Sequence, residues 1–149
     1  MTRTDASAAA RARELARASV DLDEAFAAEV LGELGADAFE LETPPRTGLV
    51  MMQARDPFDT VFCLGEALVT EVVVRKGDVR GFGLVLGEAP RRALLQAALD
   101  LLGRTGNAIA IARAAELLGP ELARRAGDRA RDAELVARTR VQFDLMPGK

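Results

Sequence analysis

Two β-branched runs, Ala67-Leu68-Val69-Thr70-Glu71-Val72-Val73-Val74-Arg75 and Val79-Arg80-Gly81-Phe82-Gly83-Leu84-Val85-Leu86, are separated only by Lys76-Gly77-Asp78. Runs of this composition predict strands, and a connection this short allows a hairpin turn but no crossover helix. The two strands are therefore expected to be antiparallel. In the second run Arg80, Phe82, Leu84 and Leu86 share one face, leaving Gly81 and Gly83 on the other. A face without side chains lets a helix or another backbone approach closely.

The same pattern extends upstream. Ala38–Thr43 is followed by Pro44-Pro45-Arg46, which is expected to form a turn because proline cannot donate to a ladder. Leu49–Arg55 ends at Asp56-Pro57, and Thr60–Leu64 follows it. Short connections throughout predict an antiparallel sheet of about four to five strands over 38–86. Helices are expected on either side, over 1–36 and 90–146, packed on this sheet. The fold class is thus α+β, and 149 residues suit one domain, 1–149, with one core.

Near the N-terminus, Asp5 or Ser7 is placed to cap a helix running to about Ala18, and Asp21 with Glu24 has capping-box spacing. Phe26, Val30, Leu31 and Leu34 then recur at helical spacing before a Gly35 stop, predicting an amphipathic hairpin or lid. Pro90 suits the first position of a helix carrying Leu94, Leu95, Ala98, Leu101 and Leu102. Gly103 and Gly106 loosen the chain before a short Ala108–Leu118 segment, and Gly119-Pro120 is expected to open a final helix. From Ala123 to Ala133 that helix has no apolar residue larger than alanine, so it is read as solvated. The i,i+4 pairs Glu121/Arg125, Arg124/Asp128 and Glu134/Arg138 would support it. Leu135, Val136, Val141, Phe143, Leu145 and Met146 follow, an apolar tail that a partner chain would cover.

Composition narrows the chemistry. The chain has no His, Trp or Tyr and a single cysteine, Cys63. That excludes a Ser-His-Asp or Cys-His nucleophile, a histidine general base and a histidine-containing metal site. No metal site is expected, and one thiol cannot hold an iron–sulfur cluster alone. Beside Phe62 and Leu64, Cys63 is expected to be a buried small hydrophobe. No Gly-Lys-Ser/Thr loop is present, and Gly81-Phe82-Gly83 with Gly87 misses the dinucleotide fingerprint.

A net charge of −3 and a pI of about 5.1 give no reason to expect nucleic acid or an anionic membrane as partner. Lys76 and Lys149 are the only lysines, so 18 of the 20 basic residues are arginines. The Arg run at 124–140 alternates with acids and has no aromatic partners, which suits a solvated helix better than an RNA site. No apolar run reaches membrane-spanning length, and arginines interrupt 1–20, so a cytoplasmic protein is expected.

Polar residues interrupt two strands that otherwise read as core. Gln53 and Arg55 share one strand face, as do Glu66 and Thr70, with Glu71 adjacent. Buried polar groups must be paired or must meet a ligand or another chain. An internal Arg55–Glu66 or Arg55–Glu71 ion pair is the competing account.

The ordered blocks Thr47-Gly48-Leu49-Val50-x-x-Gln53-Ala54-Arg55-Asp56, Phe62-x-Leu64-Gly65-Glu66-x-Leu68-x-Thr70-Glu71, Gly81-Phe82-Gly83 with Gly87, an Ala/Leu-rich helix, and Val141-x-Phe143-x-x-Met146 together resemble the G subunit of the bacterial carbon–phosphorus lyase complex, the PhnG family. Arg91-Arg92 stands where the family pattern has an Ala-Glu pair. The resemblance implies a small α+β subunit of a core complex with H, I and J partners, the K and L subunits being associated. It implies a part in transferring alkylphosphonate to C1 of the ribose of ATP with release of adenine, giving α-D-ribose 1-methylphosphonate 5-triphosphate from methylphosphonate. ATP and alkylphosphonate are then substrates of the complex. No cofactor is expected on this chain, the iron–sulfur cluster and S-adenosylmethionine belonging to the J subunit.

On this reading the chain is accessory and inactive alone, with no catalytic residue of its own. Gln53, Arg55, Glu66, Thr70 and Glu71 are the expected interface or substrate-proximal contacts, and Phe143 and Met146 the apolar anchors. The alternative is a stand-alone homodimeric scaffold whose tail packs on its twin. A free-standing hydrolase using Asp56, Asp59 and Glu66 is a third.

Overall fold

The computed structural model describes residues 3–35 and 39–139. The expected strand start at Ala38 and the apolar anchors Phe143 and Met146 lie outside the described residues.

The predicted hairpin is present. Strands β2 (Val61–Lys76) and β3 (Val79–Leu86) run antiparallel, and Gly77 in the two-residue turn takes φ 59°, which costs glycine nothing. Strand β1 (Glu40–Arg55) pairs antiparallel with the other side of β2, giving the order β1-β2-β3. The fold is α+β as expected, but the described sheet has three strands where four to five were predicted. Two expected breaks are bulges instead. Pro44-Pro45 fall where the β1/β2 register shifts between Thr43 and Arg46, and β1 is an edge strand whose outer side needs no donors. Thr60–Leu64 and Ala67–Arg75 likewise merge into one strand, with Leu64 the extra residue opposite Met52 and Gln53 and Gly65 at φ 132°.

Four helices accompany the sheet: α1 (Arg3–Ala18), α2 (Glu24–Leu34), α3 (Pro90–Thr105) and α4 (Ala108–Arg138). Asp5 and Ser7 lie inside α1, so neither starts it. The cap of α2 is Asp23, whose carboxylate accepts the Ala25 amide at 2.8 Å; Asp21 sits in the preceding 3-10 turn. Gly35 and Gly106 end α2 and α3 with positive φ. Gly103 stays within α3, where an added Cβ would lie 3.0 Å from the Ala12 side chain of α1. Asn107 caps α4 through the Ala110 amide, and α4 includes Gly119 and Pro120, which therefore do not begin a separate helix. Proline inside a helix gives up its own amide bond and crowds the carbonyl four residues back, here that of Glu116.

The chain divides into two compact units, 1–118 and 119–149. In the first, α3 is the central element. One side packs Ala89, Ala93, Ala97 and Leu101 on Val72, Val74 and Val85 of the sheet. The expected close approach at the glycine face is present: a Cβ on Gly81 would lie 2.3 Å from the Ala97 carbonyl oxygen, and one on Gly83 2.0 Å from that of Ala93. The N-terminal helices, expected on the sheet, pack on α3 instead. Buried Leu15, Leu22 and Val30 on one side and Leu95 and Leu99 on the other supply the apolar surface this layer needs. No helix among the described residues is long and apolar enough to cross a membrane.

Candidate functional site

Strands β1 and β2 run 16 residues each, whereas β3 pairs only with Val69–Lys76. Leu49–Arg55 and Val61–Leu68 therefore extend beyond β3 as a two-stranded ribbon, about 27 Å long at the usual strand rise. The register sorts its side chains. Thr47, Leu49 and Met51 face the same way as their partners Thr70, Leu68 and Glu66; Val50 and Met52 take the opposite face. Large apolar groups thus occupy both faces, and they are uncovered: Leu49 is 60% exposed, Met51 57% and Leu64 57%.

The ribbon ends in a built loop. The Asp56 carboxylate accepts the amides of Phe58 and Thr60, both at 2.9 Å, and Arg55 pairs with Asp59 at 2.6 Å. Asp59 takes φ 68°, a conformation aspartate tolerates better than most side chains. This bracing holds Phe58 at the tip, 89% exposed. The Asp56-Pro57-Phe58-Asp59 sequence carries the signal for such an aspartate-capped turn, which the strand-by-strand reading passed over.

Gln53, Arg55, Glu66 and Thr70 share the face of the ribbon that continues toward α3, and Glu71 lies on the other. Their partners differ from the expected ion pairs. Arg55 bonds Asp59 and Glu71 bonds Arg46, so neither Arg55–Glu66 nor Arg55–Glu71 forms. The reason is reach: the tip loop and the adjacent strand offer nearer partners. Gln53 points its amide at Cys63 Sγ, 4.0 Å away. Cys63 is exposed, not buried, because among the described residues no layer covers this part of β2. Glu66 has no hydrogen bond or ion pair among the described residues.

Thr70 is buried and fully employed. Its hydroxyl donates to the Gly87 carbonyl at 2.6 Å and accepts the Ala89 amide at 3.0 Å, fixing the β3–α3 link. Asp56 and Asp59, proposed for hydrolysis, are engaged in the tip loop. Beside the root of the ribbon, Arg46, Thr47, Val69 and Glu71 border a hollow of about 150 Å³, below the roughly 300–1,000 Å³ of ligand pockets. Among the described residues no three His, Cys, Asp or Glu side chains converge as a metal site.

On the face of the sheet away from α3, Arg46–Glu71, Arg75–Glu40 and Arg80–Glu42 form ion pairs beside exposed Phe82, Leu84 and Leu86. The bond to Glu42 raises the pKa of the Arg80 guanidinium. The amides of β3 on its outer edge are closed by α3: Phe82 donates to Asp100 at 3.0 Å and Leu84 to Gln96 at 2.6 Å. In the second unit Glu121 binds Arg124 and Arg125, and Asp128 binds Arg124 and Arg131; Glu134 and Arg138 do not pair.

What these residues build is an exposed, largely apolar ribbon whose polar groups, Glu66 apart, are engaged within the chain. The family model for phosphonate metabolism protein PhnG matches residues 3–148 of the 149-residue chain. No curated protein matches it.

Proposed function

Because the chain belongs to the phosphonate metabolism protein PhnG family and so to a phosphonate-metabolism complex, we propose that it is the accessory G subunit of a carbon–phosphorus lyase core, required for transfer of alkylphosphonate to C1 of the ribose of ATP. Its partners in this reading are the H, I and J subunits, with K and L associated. ATP and the alkylphosphonate are substrates of the assembly, and the iron–sulfur cluster and S-adenosylmethionine belong to J.

The observation that carries the reading is the uncovered ribbon. Leu49, Met51 and Leu68 on one face, Val50, Met52 and Phe62 on the other and Phe58 at the tip are all exposed. A ribbon bare of cover on both faces, with an aromatic tip, supports a role fulfilled inside an assembly. Adenine release from ATP and methylphosphonate by reconstituted G, H, I and L subunits is the test. Omitting this chain should abolish release, and undiminished release without it overturns the proposal. Light scattering on the isolated chain checks the homodimeric alternative, which a stable dimer indifferent to H, I and J would favour.

A further inference from the structure

We propose that the outer edge of β2 over Val61–Leu68 is a strand-addition site, occupied in the assembly by an extended segment of a partner subunit that carries alternating apolar residues and a basic residue opposite Glu66. This deepens the reading of the chain as a complex subunit and rests on it.

The hydrogen-bonding pattern locates the site. Gly87 at the end of β3 donates to the Leu68 carbonyl at 2.8 Å, which shows that the backbone groups of Leu68 point to the β3 side. Those of Glu66, two residues away, point the same way, because backbone direction alternates along a strand. There β3 has already left: Gly87 turns at φ 83°, and the bonds of Thr70 to Gly87 and Ala89 lead the chain into α3. The edge of β2 beyond that point meets no strand among the described residues.

The fold treats its edges unequally. Asp100 and Gln96 close the outer amides of β3, and the Pro44-Pro45 bulge distorts the outer edge of β1 opposite Glu71–Val73, two ways of blunting a strand edge. Along the ribbon neither device is present, and of its two outer edges that of β2 is the one that continues a ladder already formed, the ladder with β3. A two-stranded ribbon is marginal in water, and a third strand entering where β3 departs would restore the three-stranded sheet along its length. Apolar side chains on both ribbon faces suit a partner that brings a strand and covers what lies above and below it.

Charge specifies the occupant. Arg55 is paired with Asp59, leaving Glu66 as the charged side chain of the ribbon without a partner among the described residues. A second copy adding its own Val61–Leu68 antiparallel about a two-fold axis would bring two Glu66 carboxylates opposite or diagonal to each other, a destabilising arrangement. A basic residue on a different chain is the complementary choice.

The test uses the full chain with co-purified H, I and J subunits. Amide hydrogen exchange in the wild-type assembly should slow at Glu66 and Leu68, and Glu66→Pro, which removes an outward-facing donor, should weaken assembly at least tenfold. Glu66→Lys should weaken it as well, while leaving the isolated chain folded. Unchanged exchange at both amides in an assembled complex overturns the proposal and leaves the function reading intact, as does protection confined to the outer edge of β1. Slowed exchange with unweakened assembly of the Lys variant overturns the basic partner residue. Self-association through this edge overturns the hetero-partner assignment. Failure of the wild-type chain to assemble at all overturns the function reading, and the strand-addition proposal with it.

Discussion

Glu24 and Arg92 meet at 3.2 Å, and the same carboxylate accepts the backbone amides of Arg91 and Arg92 at 2.9 and 3.0 Å. An acid borrowed from α2 therefore caps the N-terminus of α3. Arg91-Arg92 brings cations to the positive end of the helix dipole, an unfavourable placement that Glu24 offsets. The Arg92 guanidinium also donates to the Val20 carbonyl at 2.9 Å, so the junction ties the N-terminal helices to the head of α3. Glu24→Ala should destabilise the protein by about 1–2 kcal/mol, the usual range for a lost cap plus its dipole interaction. Urea unfolding checks this, with Glu24→Gln expected to lose less because one amide acceptor remains.

The glycines of β3 and α2 make opposite predictions. Gly83→Ala puts a methyl group 2.0 Å from the Ala93 carbonyl oxygen, with backbone rather than a flexible side chain in the way. It should cost about 3 kcal/mol or more, as severe overpacking does. Gly32 lies inside α2 with open space where its Cβ would be, so Gly32→Ala should stabilise by roughly 0.5–1 kcal/mol. Thermal unfolding of both variants measures the contrast.

Thr70→Val tests whether the buried hydroxyl acts as a structural clamp. The substitution keeps the volume but leaves the Ala89 amide and the Gly87 carbonyl without their side-chain partner, at about 1–3 kcal/mol. Thr70→Ser should recover most of this loss. A denaturation series that found Val equal to Thr would remove the clamp from the account of how α3 is seated.

Local pattern carried the parts of this fold that depend on neighbours in sequence. The alternation around Gly81 and Gly83 predicted a close helix, and the spacing across Lys76-Gly77-Asp78 predicted an antiparallel hairpin. What sequence-local reasoning missed depends on position in the sheet. Pro44-Pro45 break a central strand but pass within an edge strand, and edge status is set by β2 pairing on one side only. Cys63 has apolar neighbours, yet exposure depends on whether a layer lies over it, and α3 and β3 stop short of that part of β2. Glu24 has capping-box spacing to Asp21, but its carboxylate serves a helix that begins 66 residues later, at Pro90. The candidate residues Gln53, Arg55 and Glu66 do share a face, which period-two alternation along β1 and the register with β2 account for.

Acid should loosen the second unit, which neutral pH leaves intact. Bonds from Arg124 and Arg125 hold the Glu121 carboxyl down to about 2, below its ordinary 4.5. A carboxyl whose folded-state pKa is depressed stabilises the structure above its unfolded value, and that contribution is lost as pH falls from about 4.5 through about 2. The pairs span three and four residues on one helix, so their loss acts locally, on the segment around Glu121–Asp128. Carbon NMR of the Glu121 carboxyl should show a midpoint near the depressed value, with amide signals of 119–138 moving toward coil positions over the same interval. Glu121→Gln should remove that pH dependence, and high salt should shrink it because these groups face solvent. A midpoint at the ordinary glutamate value would mean that the arginine pairs do not persist in solution.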